Sequence, residues 1–288
     1  MPKIEIDKEK CIHCGMCIND CISMCLEFDE EKIPQMKHEN RCLNCQHCLA
    51  ICPSGALKFD GKSGCQINEQ DNNILNLIKS RRSIRQFKED EIDEETWTKL
   101  KDMLPYIPTG CNSHKLHFSI VQKREVMREL KEKVNTKLIK ALNNNILAPA
   151  VKHFEVYKKA FERGDDIIFR SAPHMVVVSS PINAPCAPQD GVIALSYLEL
   201  YANSLGLGTC WCGYGEICVK IFPEICDILE IPEGYTPIYT MLIGYPAVKY
   251  QRIPEPEPYS ISEINDTEKK STSCIFCKAK RFITNFIR

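Results

Sequence analysis

Eight cysteines near the start of the chain stand in two copies of one spacing: Cys11, Cys14, Cys17 and Cys21, then Cys42, Cys45, Cys48 and Cys52. A thiolate is a soft metal ligand. Three of them on one tight loop, with a fourth a few residues on, suit an iron–sulfur cluster, whereas CxxC pairs also serve structural zinc. Zinc takes four ligands per site and rarely shows CxxCxxC twice, so cluster ligation is the better reading. The match between the copies continues past the cysteines. Leu26 and Phe28 recur as Leu57 and Phe59, and Cys25 falls where the second copy has Ala56, as in a duplicated unit. That pairing makes Cys25 a small packing residue rather than a ligand. A second group with chemical potential is Arg81, Arg82, Ser83 and Arg85, three guanidinium groups and a hydroxyl within five residues. Such a fork-rich turn suits a phosphate monoester, although a solvated basic helix end would look the same when taken alone.

The elements that must position these groups follow from hydrophobic period and turn residues. Residues 61–73 are rich in Gly, Asn, Asp and Gln without apolar periodicity and read as a linker. Ile74, Leu75, Leu77 and Ile78 open a helix that leads into the arginine turn. A second helix is expected from Asp93, its N-cap, to Leu104, and others over Lys123 to Asn143 and Val151 to Arg163. Phe118 to Val121, Met175 to Val178 and Ile238 to Ile243 are short β-branched runs of the kind that form buried strands. Val192 to Leu205 is apolar nearly all round and predicts a central buried helix, with Gly206 as its C-cap. Beyond Gly244 the chain turns Pro-rich, and Gln251 to Glu268 is expected to leave the core as an extended arm. These readings give an organisation of 1–60, 61–73, 74–254 and 255–288.

The chain has 288 residues, 44% of them hydrophobic and 26% charged, enough for a real core and for one small and one standard domain. A net charge of -1 offers no overall attraction to nucleic acid or anionic lipid. No apolar run is long enough to span a bilayer and the first ten residues lack a signal core, so the expectation is a soluble cytoplasmic protein with no nucleic-acid or membrane partner. Eighteen cysteines in a chain without an export signal point to metal chemistry rather than to a disulfide framework.

Residues 1 to about 60 resemble the bacterial-type ferredoxin with two 4Fe-4S clusters, although Ile22 stands after Cys21 where a proline is usual, as Pro53 does after Cys52. In that family the fourth cysteine of each run ligates the other cluster. The resemblance therefore implies one cluster on Cys11, Cys14, Cys17 and Cys52, and another on Cys42, Cys45, Cys48 and Cys21. Residues 74 to about 254 resemble the nitroreductase family. Arg81 to Phe87 fits its FMN-binding opening, and Pro108 to Ser113 fits its next segment with Asn112 at the flavin-contacting amide. His114, Lys115 and Leu116 depart from the usual Gln-Pro-Trp, which concerns the substrate side. Ala172 to Val178 is similar to the core strand of the family, and Leu205 to Gly213 to its Leu-Gly-Leu-Gly-Thr-x-Trp loop, where the backbone of Cys212 and Gly213 lies near the reactive edge of the flavin. Gly244-Tyr245-Pro246 and the basic Lys249 and Arg252 match the closing segment, with Arg252 the expected phosphate ligand.

The resemblances together imply an α+β protein, a ferredoxin-like two-cluster domain followed by a nitroreductase-like α/β/α FMN domain. They also imply a homodimer with FMN at the subunit interface. The expected activity is an iron–sulfur flavoprotein oxidoreductase that passes electrons from two 4Fe-4S clusters to FMN and on to a small organic acceptor. No catalytic side chain is required, because the cofactor carries the hard step. A donor protein or NAD(P)H would supply the electrons, and no GxGxxG loop appears. The alternative is an electron carrier or redox sensor acting on a partner protein. Residues that choose a substrate are expected between Asn135 and Arg170. The lone pair Cys274 and Cys277 is expected to be metal-free, and Trp97 to be a packing residue.

Overall fold

The computed structural model describes residues 3–66, 74–144 and 152–265. Residues 3–255 fall in one compact unit, and Pro256 begins a second whose described part, to residue 265, has no regular structure. Cys274 and Cys277 lie outside the described residues.

The duplication is visible in the backbone. β1 (Ile4–Ile6) pairs antiparallel with β4 (Leu57–Phe59), and β2 (Leu26–Phe28) with β3 (Pro34–Met36). Short helices α1 (Met16–Asn19) and α2 (His47–Ile51) each close one CxxCxxC loop. His13 and Gly15 in the first loop, Asn44 and Gln46 in the second, take the same alternating left-handed conformation, with φ of 56°, 71°, 53° and 56°. In the first copy only Gly15 relieves that cost, and a Cβ there would press on the Phe28 ring at 3.1 Å.

The remainder of the unit is built on a four-stranded antiparallel sheet of order β6-β7-β9-β8, from β6 (His117–Val121), β7 (His174–Pro181), β8 (Gly208–Trp211) and β9 (Tyr235–Gly244). Val176, Val178, Met241 and Ile243 face the layer of α4 (Glu94–Met103) and α7 (Ala187–Ser204). Met175, Val177 and Leu242 face α5 (Arg124–Asn143) and α8 (Gly213–Ile221). The period-two alternation of the strands thus feeds both helical layers. Asp93 caps α4 by accepting from Thr96 N at 2.8 Å, and Gly206, at φ 79°, ends α7. Trp97 is buried edge-on against His174, its ring centroid 5.3 Å away, in its expected packing role.

Three stretches differ from their expectation. The helix foreseen over Val151 to Arg163 is broken into a 3₁₀ turn at Glu155–Tyr157 and α6 (Lys158–Glu162), which brings both Phe154 and Tyr157 edge-on to Tyr214, at 5.1 and 5.9 Å. Part of the linker, β5 (Cys65–Gln66), pairs antiparallel with β10 (Arg252–Ile253). The closing arm does not leave the core at Gln251. Gln251 N donates to Ala50 O at 2.9 Å, and Tyr250 is buried in the core of the cysteine-bearing half.

That core is shared. Leu49, Ala50, Ile51, Leu57 and Phe59 from the repeat pack with Ile84 and Tyr250 from the other half. Leu49→Ala is expected to cost about 2–5 kcal/mol and to lower the urea midpoint reported by Trp97 and Trp211 fluorescence, although Leu49 lies far from both in sequence. An unmoved tryptophan transition would show that the halves unfold independently.

Candidate functional site

The cysteines converge in the crossed arrangement. Cys11, Cys14, Cys17 and Cys52 line one small cavity together with Ile6, Gly15 and Ala56. Cys21, Cys42, Cys45 and Cys48 line a second, which also takes in Cys25. Each cavity draws its fourth cysteine from the other copy, because α1 and α2 lie side by side. Cys25 is buried, and its amide donates to Cys21 Sγ at 3.3 Å. Among the described residues no three His, Cys, Asp or Glu side chains converge tightly enough to share a single metal ion. The wider spacing round each cavity suits a cluster, in which every thiolate binds a different iron. Burial pushes the Cys52 thiol upward, but the bond to Ser54 and those from the amides of Leu57, Ala56 and Gly55 outweigh it and hold Cys52 below its ordinary value, whereas burial and the neighbouring thiols push Cys17 and Cys48 up.

The arginine turn is fastened at both ends to the sheet region. Ile84 N donates to Thr209 O at 2.8 Å, and Ser83 bridges to Thr209 at the start of β8. Lys88 N donates to Tyr245 O and Ala247 N to Gln86 O, so residues 81–88 are held between β8 and the segment after β9. Glu199 on α7, absent from the sequence reading, completes the frame. Its buried carboxylate accepts from Arg81 Nη1 at 3.3 Å, Thr209 Oγ1 at 3.3 Å and Trp211 Nε1 at 3.1 Å, tying the turn to the glycine-rich loop. A buried acid in an otherwise apolar helix was the available signal.

Within the turn, Arg82 Nε and Arg85 Nη1 are buried donors with no hydrogen-bond partner among the described residues. Unsatisfied charged donors are costly, and an anionic or oxygen-rich group beside them would remove that cost, which is what a bound flavin phosphate or ring oxygen offers. The site therefore fits the cofactor that the sequence suggests. Cys212 is a structural residue. It N-caps α8 by accepting from Gly215 N at 3.3 Å, its thiol donates to Ile168 O, and burial pushes it up to about 12. Gly213 lines the same open cavity as Cys212, Trp211 and Tyr214.

Two further expected ligands are engaged with other groups of the chain. Arg252, anticipated at a phosphate, donates instead to Cys52 O, and its guanidinium lies against Gly55 of the cysteine repeat. Pairing of β10 with β5 turns it that way, an effect of tertiary contacts that no motif carries. Asn112 sits in a left-handed turn at φ 50°, with its side-chain oxygen 2.9 Å from His114 Nε2. Its loop is anchored by Gly110 N donating to Asp190 Oδ1 at 2.8 Å. Asp190 and Glu199 are nine residues apart on one helix, which separates the two anchor points by roughly 14 Å.

The two halves are joined by polar bonds as well as by their core. The buried Asp20, next to Cys21, accepts from the Tyr250 hydroxyl at 3.0 Å and from Gln86 Nε2 at 3.2 Å. His47, between Cys45 and Cys48, has Nδ1 3.3 Å from Cys45 O and Nε2 3.3 Å from Ser83 O. Burial, then the Arg85 charge, bring His47 down to about 4, so at neutral pH the ring is uncharged and donates to one of the two carbonyls.

Comparison with known proteins matches these features to families. The nitroreductase family matches residues 78–245, more than half of the chain. The chain belongs to the nitroreductase family. The 4Fe-4S dicluster domain matches residues 10–56, the cysteine repeat. A Methanothermobacter thermautotrophicus protein, with a name of the NADH dehydrogenase/NAD(P)H nitroreductase type, is 27% identical over 178 residues, covering 60% of this chain and 78% of that protein. Among solved structures, a Desulfitobacterium hafniense nitroreductase with bound FMN is 25% identical with a TM-score of 0.54, and a Bacteroides fragilis nitroreductase with bound FMN is 22% identical with a TM-score of 0.56. Each similarity covers 67% of this chain and 100% of the other. No described helix is long and apolar enough to cross a membrane.

Glu199→Ala would leave three donors without their acceptor. The expected loss is about 1.5–3 kcal/mol, read as a lower thermal midpoint, together with a red shift of Trp211 fluorescence as its indole becomes free to move. An unchanged melt and spectrum would remove Glu199 from the frame.

Proposed function

We propose that the protein is an iron–sulfur flavoprotein oxidoreductase that carries two 4Fe-4S clusters and FMN and reduces a small organic acceptor such as a nitro compound or quinone. The observation that carries the reading is the approach of His47 Nε2, between two of the repeat cysteines, to within 3.3 Å of the Ser83 carbonyl in the arginine turn. Residues 1–60 are taken as the cluster domain, 61–73 as the connector, 74–254 as the flavin domain and 255–288 as an extension.

In this reading Cys11, Cys14, Cys17 and Cys52 hold one cluster, and Cys42, Cys45, Cys48 and Cys21 the other. Arg81, Arg82, Ser83 and Arg85 bind FMN, with the unpartnered Arg82 Nε and Arg85 Nη1 as the donors in want of an oxygen. The Cys212–Gly213 backbone borders the ring. FMN supplies exchange between one- and two-electron chemistry, and iron–sulfur clusters supply single electrons. The protein keeps the junction dry: Tyr250, Ile84 and Leu49 are buried there, and the neutral His47 adds no charge.

A homodimer accounts for the distance between the Asn112 loop and the arginine turn along α7. Asn112 of one subunit would reach the flavin held by the turn of its partner. Val192, Ile193 and Tyr197 on α7 are exposed, as a dimer face requires. Electrons come from a donor protein or NAD(P)H.

Anaerobic purification followed by iron, sulfide and flavin analysis tests the reading. Iron and sulfide for two 4Fe-4S clusters and one FMN per chain are expected, and a colourless protein containing zinc would defeat it. In such a preparation, Arg85→Ala should weaken FMN binding at least tenfold, about 1.4 kcal/mol, with the iron content unchanged.

A further inference from the structure

The cavity beside β8 contains a cation, Arg170, that no other described residue pairs with. Ile168, Arg170, Trp211, Cys212, Gly213 and Tyr214 border an open space of about 200 Å³. The guanidinium of Arg170 has no hydrogen-bond or ion-pair partner among the described residues, and the groups within reach of its charge are Cys210, Cys212 and Tyr214, all uncharged at neutral pH.

Its backbone is held in an uncommon way. Arg170 and Ser171 are consecutive non-glycine residues in the left-handed region, at φ 51° and 54°. The arrangement persists because Asp166 clamps it: one carboxylate oxygen accepts from Phe169 N and the other from Ser171 N, each at 2.8 Å. Lys131, 3.3 Å away, holds Asp166 in turn. Strain of this kind is kept where the surrounding structure over-determines it, and such positions cluster at ligand sites. Here its effect is to place one guanidinium at the wall of the cavity. Another part of the wall is also fixed, since Glu199 holds Trp211 and the Trp211 ring stands edge-on to Tyr239, 5.2 Å away.

We propose that Arg170 is the specificity residue of this cavity and pairs with the carboxylate of a small, ring-bearing organic acceptor. The proposal deepens the flavoprotein reading and rests on it for the word acceptor. The walls are apolar, aromatic or neutral apart from Arg170, so a neutral ring gains burial while a carboxylate gains a charge-assisted and geometrically matched pair. Arg170 also stands at the end of the span, Asn135 to Arg170, in which substrate selection is expected.

The test uses the anaerobically purified full chain and two isosteric probes, benzoate and benzamide, whose dissociation constants are measured by calorimetry. Wild-type protein is expected to bind benzoate at least tenfold more tightly than benzamide. Arg170→Leu should abolish that preference without changing benzamide affinity or FMN content, and Arg170→Lys should restore part of it. In turnover, Arg170→Leu should raise the KM for 4-nitrobenzoate about tenfold, leaving its kcat and the KM for 4-nitrobenzamide unchanged. A wild-type protein with no preference for benzoate, or a Leu variant that keeps it, would overturn the proposal. So would a Leu variant that loses FMN and weakens both probes equally, because Arg170 would then be a flavin ligand. A protein that contains no flavin but still distinguishes the probes through Arg170 would sink the flavoprotein reading alone.

Discussion

The carboxylate of Asp20, buried beside a cluster-site cysteine, is held by the hydroxyl of Tyr250 and the amide of Gln86, and the union of the two halves turns on those bonds. A buried charge is tolerated only when its lone pairs are satisfied. Burial raises Asp20 above the usual carboxylate range, and the Tyr250 and Gln86 bonds and the Arg85 charge offset only part of that rise. All three stabilising groups come from the far end of the chain or from the arginine turn. The cysteine repeat therefore reaches its complete polar and apolar environment only against the second half, in keeping with the core that both share. A small domain with so little apolar volume of its own gains from such docking.

The same economy governs the arginine turn. It has no regular structure, so its position depends on backbone bonds to β8 and to the segment after β9, and on Glu199. Those fastenings leave its Arg82 and Arg85 donors free in a buried setting. A scaffold that satisfies everything around a site while leaving charged donors unpaired within it is organised in advance for a ligand, whose binding then costs little rearrangement. Arg170 follows a related plan, with Asp166 absorbing the backbone strain and the guanidinium left to the cavity.

Much of the architecture was legible in the residues. Strands β6, β7 and β9 were visible as β-branched runs because both faces of the sheet are covered, which makes their composition apolar throughout. The helices α5 and α7 were visible from their length and period. Strand β8 was read as loop, since four residues that begin with glycine at a sheet edge carry too little alternation to register. The break before α6 was hidden because Phe154 and Tyr157 are drawn to Tyr214, a partner distant in sequence.

Residue type and spacing alone sufficed for the two cysteine groups and the chemistry of the arginine turn, because ligand type and short-range spacing are local properties that survive any arrangement of the chain. The sequence also carried the family, through motifs whose order is linear. It took the folded chain to bring Arg252 to Cys52 O, to make Glu199 the link between three separate segments, and to leave Arg170 unpaired among the described residues at a cavity wall. Each of those facts depends on which distant residues come within bonding distance, and the pairing of β10 with β5 or the packing of α7 on the sheet has no signature in the spacing of any motif.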